Sequence, residues 1–80
     1  MLDWTIENEN GIKHYIVTRV TNANIEIHVT RVRTTGGRPL RIVKDFPLNA
    51  EYMDCIKKVE NICNLDDEIY AMLNDHQMEA

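Results

Sequence analysis

The chain has 80 residues, of which 44% are hydrophobic and 28% charged, as expected for one small globular domain. Nine basic and thirteen acidic residues give a net charge of −4, which disfavours a general attraction to nucleic acid or to anionic membranes. The sequence contains no serine, which excludes every serine-nucleophile mechanism.

The first half of the chain alternates apolar and polar residues with period two, which is typical of half-buried strands. Between the first two strands, Glu9-Asn10-Gly11 suits a three-residue hairpin loop, and pairing Asn8 with Ile12 sets Ile6 opposite His14. At the second turn, pairing Val20 with Ile25 keeps the isoleucines on one face. The pattern predicts four strands, over residues 2–8, 12–20, 25–33 and 40–46.

After Pro47 the period changes to 3.6, which predicts helix. Asn49 suits the N-cap of a first helix over 49–63, and Asp66 suits that of a second over 66–74. One bent helix over 49–74 is the alternative, and residues 76–80 are expected to fray. The first helix is expected to bury Tyr52, Ile56, Val59 and Ile62 or Cys63. The second is expected to bury Ile69, Met72 and Leu73, with Leu65 packed against Tyr70 at its start.

Together these elements predict an α+β fold. It is an antiparallel meander sheet of four strands with one face covered by one or two C-terminal helices (ββββαα), in a single domain over 1–75. Trp4 and Phe46 fall on the covered face, and Tyr15 falls on the open one.

Charge is distributed unevenly along the chain. Residues 12–44 carry seven of the nine basic residues and one acid. We therefore expect a basic surface at one end of the sheet and an acidic surface on the helices, each of which is either a solvated face or a binding site. The expected basic surface comprises Tyr15, Arg19, Arg31, Arg33, Arg38 and Arg41. The expected acidic surface comprises Glu51, Asp54, Asp66, Asp67 and Glu68.

No catalytic, metal or cofactor site is predicted. Cys55 and Cys63 lie too far apart along one helix for a disulfide and fall on or beside its apolar stripe, where a thiol acts as a small core group. The two thiols indicate a reducing, cytoplasmic compartment. The predicted register places His14 and His28 on opposite faces of the sheet as surface or edge residues rather than metal ligands. The carboxylates of residues 66–68 are explained by a helix start.

The open face of the predicted sheet offers a further interaction surface. Val17, Val32 and Val43 fall there, which reflects either strand propensity or an interface with a partner or a second copy. Binding of single-stranded nucleic acid needs aromatic platforms, and Tyr15 alone is available beside Arg19 and Arg41.

Two family resemblances bear on function. Ile25-Glu26-Ile27 through Lys44-Asp45-Phe46-Pro47-Leu48-Asn49-Ala50-Glu51 resembles small phage anti-CRISPR proteins of the type I-F inhibitor group, whose ββββαα members block a CRISPR surveillance complex without catalysis. Phe46-Pro47-Leu48-Asn49-Ala50-Glu51 and the amphipathic helix after it are similar to the strand-to-helix junction of the positive-cofactor-four family. That resemblance implies a homodimer that holds single-stranded DNA on basic strands.

We therefore expect a non-enzymatic protein that inhibits or modulates a larger protein or ribonucleoprotein complex by occluding its surface. A phage anti-defence factor, which acts in the host cytoplasm, has this kind of function. The alternative is a single-stranded nucleic-acid-binding module that acts in transcription or replication. A homodimer through the open face is compatible with either function.

Overall fold

The computed structural model describes residues 3–78, with side chains described for residues 3–73. Its order of elements confirms the predicted ββββαα fold, with two separate helices rather than one bent helix. The elements are β1 (Asp3–Glu7), β2 (Ile12–Val20), β3 (Asn24–Arg33), β4 (Leu40–Pro47), α1 (Tyr52–Cys63) and α2 (Asp67–Met78). Residue 2 of the predicted first strand lies outside the described residues.

The four strands form one antiparallel sheet in chain order. The predicted register is confirmed, since Ile6 pairs with His14 and Val20 pairs with Ile25. Asn8 fixes the first hairpin: its backbone N–H donates to the carbonyl of Ile12 at 3.0 Å, and its side-chain oxygen accepts from the N–H of Asn10 and of Ile12. No bulge interrupts the paired stretches, so period two assigns each side chain to a face.

The predicted start of the first helix was wrong. The N–H of Ala50 donates to the carbonyl of Pro47 at 3.0 Å, and this turn occupies Asn49, so that α1 begins at Tyr52 with Glu51 at its N-cap. Asp66 does cap α2, because its Oδ1 accepts from the N–H of Ile69 at 3.0 Å. α2 runs to Met78, which is longer than predicted and includes most of the segment expected to fray.

The helices cover one face of the sheet, here called the helix face. Ile16, Val29 and Phe46 of this face pack with Cys55 and Val59 of α1 in one hydrophobic cluster. Trp4 packs against the cluster, so both predicted core aromatics are on this face. The opposite side of the sheet, here called the open face, is covered by neither of the two helices within residues 3–78. Within residues 3–78, neither helix has the length and hydropathy needed to cross a membrane.

The buried stripe of each helix differs from the predicted one. In α1 it is Cys55, Val59 and Cys63, whereas Tyr52 is 54% exposed. Among the α2 side chains that the structure describes, at residues 67–73, Tyr70 is fully buried, and the predicted Ile69, Met72 and Leu73 are exposed. The α2 prediction failed because a polar partner of Tyr70, described below, decides which side of the helix faces the sheet.

Candidate interaction surfaces

Arg31, predicted on the basic surface, is buried beneath the helices and only 3% exposed. Its guanidinium donates from Nη2 to the carbonyls of Leu65 at 2.7 Å and Cys63 at 3.3 Å, and from Nη1 to Oδ1 of Asp67 at 3.0 Å. These acceptors lie at the C-terminus of α1 and the N-terminus of α2. The positive charge therefore stabilises the carbonyl end of α1 and holds both helices against β3. Only 2% of the Arg31 side chain is exposed, and its donors are used inside the fold rather than offered on a surface.

His14 is also buried, at 2% exposure, and is not the surface or edge residue predicted. It lies opposite Arg31 in the register, and its Nε2 accepts from Arg31 Nε at 2.9 Å. Burial, and secondarily the charge of Arg31, lower the pKa of His14 from 6.5 to about 4. The imidazole is therefore neutral at physiological pH and serves as an acceptor.

Tyr70 anchors α2 to the sheet. Its hydroxyl donates to the carbonyls of Val29 at 2.9 Å and Leu40 at 3.2 Å, and the Arg31 guanidinium carbon lies 3.9 Å from its ring centroid. Burial, opposed by Arg31, raises the pKa of the phenol above its ordinary value, so the hydroxyl remains a donor. Arg31, Tyr70 and His14 thus form one buried polar network, which explains why a helix rich in exposed apolar residues turns its tyrosine inward.

Arg33 and Asp67 were predicted on opposite surfaces, but they form an ion pair with each other. Both residues lie on the helix-covered side of the sheet, where Asp67 also accepts from Arg31. Arg38, in the loop after β3, lines a cleft of ≈330 Å³ together with Arg31, Arg33, Asp67 and Glu68. This cleft carries three guanidinium groups and two carboxylates, and two of the guanidinium groups, Arg31 and Arg33, are already paired with Asp67.

The predicted basic surface is therefore divided. Tyr15, Arg19 and Arg41 lie on the open face, whereas Arg31 and Arg33 lie on the helix face and Arg38 lies in a loop. The described strand residues of the open face carry three basic side chains (Lys13, Arg19, Arg41) and four acidic ones (Asp3, Glu7, Glu26, Asp45). This face does not have the excess of positive charge that a nucleic-acid backbone requires.

The predicted acidic surface is also divided. Glu51 and Asp54 lie at the start of α1, and Asp66, Asp67 and Glu68 lie at the start of α2. The twelve residues of α1 separate the two groups by about 18 Å along the helix. Asp66 is occupied as a cap and Asp67 as an ion-pair partner, so Glu68 is the carboxylate of the second group that has neither role here.

One surface was missed by the sequence interpretation. Ile69, Met72 and Leu73, here called the α2 stripe, lie at positions i, i+3 and i+4 and are 46%, 65% and 38% exposed. This spacing puts the three side chains on one side of the helix. The apolar periodicity was visible in the sequence, but it was interpreted as the core side of the helix.

The thiols and the candidate metal-ligating side chains can be placed individually. Both thiols are buried and free, and burial raises the pKa of Cys63 to about 11, so the reactive thiolate is disfavoured. Within residues 3–73, no three His, Cys, Asp or Glu side chains are placed to hold a metal ion. His28 contacts Glu26 at 3.3 Å on the open face, on the opposite side of the sheet from His14.

Comparison with known proteins does not assign the chain to a family: no family model, no curated protein and no solved structure matches it.

Proposed function

We propose that the chain is a non-catalytic binding domain that docks on a larger protein or ribonucleoprotein complex through the α2 stripe and thereby occludes a working surface of that complex. The observation that carries this proposal is the exposure of Ile69, Met72 and Leu73 on one side of α2. An amphipathic helix with apolar anchors at this spacing fits a hydrophobic groove of a partner.

The charge of the C-terminal segment favours a partner with a basic rim. After Lys58 the sequence contains no Lys or Arg, but it contains six acidic residues. Asp66 and Glu68 are exposed at the start of the helix that carries the stripe. Such a segment complements a groove that binds phosphates or acidic peptides, and its negative charge steers the encounter. Burial of the α2 stripe would then supply most of the affinity.

Site-specific photocrosslinking tests the docking surface. A photoreactive residue is placed at Met72 in one variant and at Met53 in a matched control, since Met53 is an exposed methionine of α1. We expect a partner that crosslinks from position 72 and not from position 53. Replacing both Ile69 and Leu73 with Ser should abolish its capture. A partner captured equally well by the Ser variant would contradict the proposal.

Reversing charges separates this function from the nucleic-acid alternative. Under the proposal, Glu68→Lys, which leaves the Asp66 cap intact, weakens capture, whereas Arg19→Glu with Arg41→Glu has little effect. Binding of labelled single-stranded oligonucleotides that weakens steeply with salt, and is lost with the arginine reversals alone, would instead support the alternative.

The resemblance to type I-F inhibitors suggests a narrower form of the proposal, in which the partner is a CRISPR surveillance complex. The direct test is target-DNA binding by the purified complex. Inhibition by the wild-type chain, and its loss in Met72→Asp but not in Met53→Asp, is the expected result. Unchanged DNA binding would exclude the CRISPR surveillance complex as the partner. The wider proposal of docking through the α2 stripe would then be tested by the crosslinking experiment alone.

A further inference from the structure

The open face has a neutral centre and a charged rim. The register places Asp3, Val17, His28 and Val43 in one row across the four strands, and Thr5, Tyr15, Thr30 and Arg41 in the next. Arg19, Glu26 and Asp45 form a row at one end, and Glu7, Lys13 and Val32 a row at the other. The central Tyr15 and Val17 are 44% and 40% exposed. Tyr15 and Val17 thus give the centre of the face an apolar part, surrounded by a polar rim as in protein interfaces.

We propose that two copies of the chain associate face to face through their open faces, about a two-fold axis that runs parallel to the strands between β2 and β3. This symmetry places β2 of one copy over β3 of the other, and it lays each row over the same row of the second copy. Arg19 then lies over Glu26 of the second copy, and Glu26 lies over its Arg19. The Arg19/Glu26 pair is therefore complementary to itself across this axis, which argues for a second copy as the occupant of the face.

The shape of the face agrees with the same symmetry. Val17, Arg19, His28, Thr30 and Arg41 surround a shallow depression of ≈500 Å³. The two-fold axis sets Tyr15 of the second copy over Thr30, one of the residues that line this depression. An aromatic anchor seated in a depression of the opposite face is a common source of interface energy.

A two-fold axis across the strands is disfavoured by charge. It would reverse the order of the rows and lay Arg19 over Lys13 of the second copy, which puts like charges together at both ends of β2. The axis parallel to the strands avoids this repulsion, so the charges select one geometry.

The size of the face sets the expected strength. Four strands spaced by about 4.8 Å and four rows spaced by about 6.8 Å give a face of roughly 500 Å². Standard interfaces bury about 800 Å² per partner, so we expect a weak dimer with a dissociation constant in the micromolar range.

The test uses two single variants, Arg19→Glu and Glu26→Arg, studied alone and mixed. Each variant alone puts like charges across the two-fold axis, so its dimer should weaken at least tenfold in sedimentation velocity. The equimolar mixture restores opposite charges between the copies, so native mass spectrometry should detect a mixed dimer. Each variant carries the same pair of like charges at positions 19 and 26 of its own chain whether it is studied alone or in the mixture, so the comparison isolates the contacts between copies. Circular dichroism verifies that each variant folds.

Two further variants separate this interface from the α2 stripe. Tyr15→Ala should abolish the dimer, and Met72→Ser, on the other side of the sheet, should leave it intact. A wild-type chain that stays monomeric over the whole concentration range, or variants that form no mixed dimer, would overturn the inference. Either result leaves the proposed function standing, since partner capture by α2 is measured independently.

Discussion

Arg31 and His14 are paired across adjacent strands on the helix face, and the 2.9 Å hydrogen bond from Arg31 Nε to His14 Nε2 joins two buried polar side chains. A buried guanidinium is tolerated when its donors are satisfied. Here the acceptors are an imidazole, a carboxylate and two helix-end carbonyls. The network therefore fixes the position of both helices, and the α2 stripe owes its outward orientation to it.

Arg31→Met should destabilise the fold by about 2–4 kcal/mol, because it leaves two main-chain carbonyls and the His14 acceptor without their donor. Arg31→Lys should recover part of the loss, since one ammonium group cannot reach all the acceptors that the planar guanidinium reaches. The free energy of unfolding in urea measures the effect. Lys57→Met, at an exposed position on α1, is the matched control and should have no measurable effect. Equal stabilities for the two Met variants would contradict the structural role of Arg31.

The stability of the fold should fall below pH 6.5. The pKa of His14 is about 4 in the folded chain and near 6.5 when unfolded, so the folded state favours the neutral ring. The contribution is complete above pH 6.5 and is lost progressively as the pH falls, and the loss reaches about 3 kcal/mol at pH 4. Carboxylates also titrate in this range, so wild type is compared with His14→Gln, which keeps an acceptor and does not ionise. The expected result is a steeper loss of unfolding free energy for wild type; parallel pH profiles would exclude His14 as the cause.

The sheet could be predicted from the sequence because local chemistry determines it. The loop at residues 9–11 fixes the first register, and alternating isoleucines select the face. The same alternation places Arg31 with Ile27 and Val29 on the helix face, which was a signal of its burial that the charge pattern obscured. The orientation of α2 was not predictable in this way. Its periodicity marks Ile69, Met72 and Leu73, but a tertiary contact between Tyr70 and β3 determines which side is buried.

Tyr70→Phe tests that tertiary contact. The variant keeps the ring beneath Arg31 and removes the hydroxyl that donates to the carbonyls of Val29 and Leu40. We expect a loss of about 1–2 kcal/mol in unfolding free energy. Tyr52→Phe removes the hydroxyl of an exposed tyrosine on α1 and should be neutral. Hydrogen exchange should also show faster opening of α2 in Tyr70→Phe. Hydrogen exchange of α2 at the wild-type rate would show that the Tyr70 hydroxyl does not hold the helix against the sheet.

Gly11→Ala should destabilise the first hairpin for two separable reasons. Gly11 has φ +76°, which costs an L-residue about 1–2 kcal/mol, and a Cβ added there would lie 2.5 Å from Thr34 Oγ1. A double-mutant cycle with Thr34→Ala separates the contributions, because the second substitution removes the oxygen and leaves the dihedral strain. We expect the double variant to recover part of the loss. An additive cycle would show that the Thr34 side chain rotates away at no cost.

Cys63 should resist alkylation in the folded chain. Burial raises the pKa of its thiol from 9.0 to about 11, aided by Glu60 and opposed by Arg31, so at pH 8 the thiolate fraction falls by about 100-fold. Iodoacetamide labelling is followed by mass spectrometry, in which cleavage after Lys57 and Lys58 places Cys55 and Cys63 on different peptides. We expect Cys63 to react at least 100-fold more slowly in buffer than in urea. In Arg31→Met, where the end of α1 loses its contact with β3, opening of the helix should expose the thiol and raise the rate. A rate in buffer equal to that in urea would mean that the C-terminus of α1 is not held against the sheet.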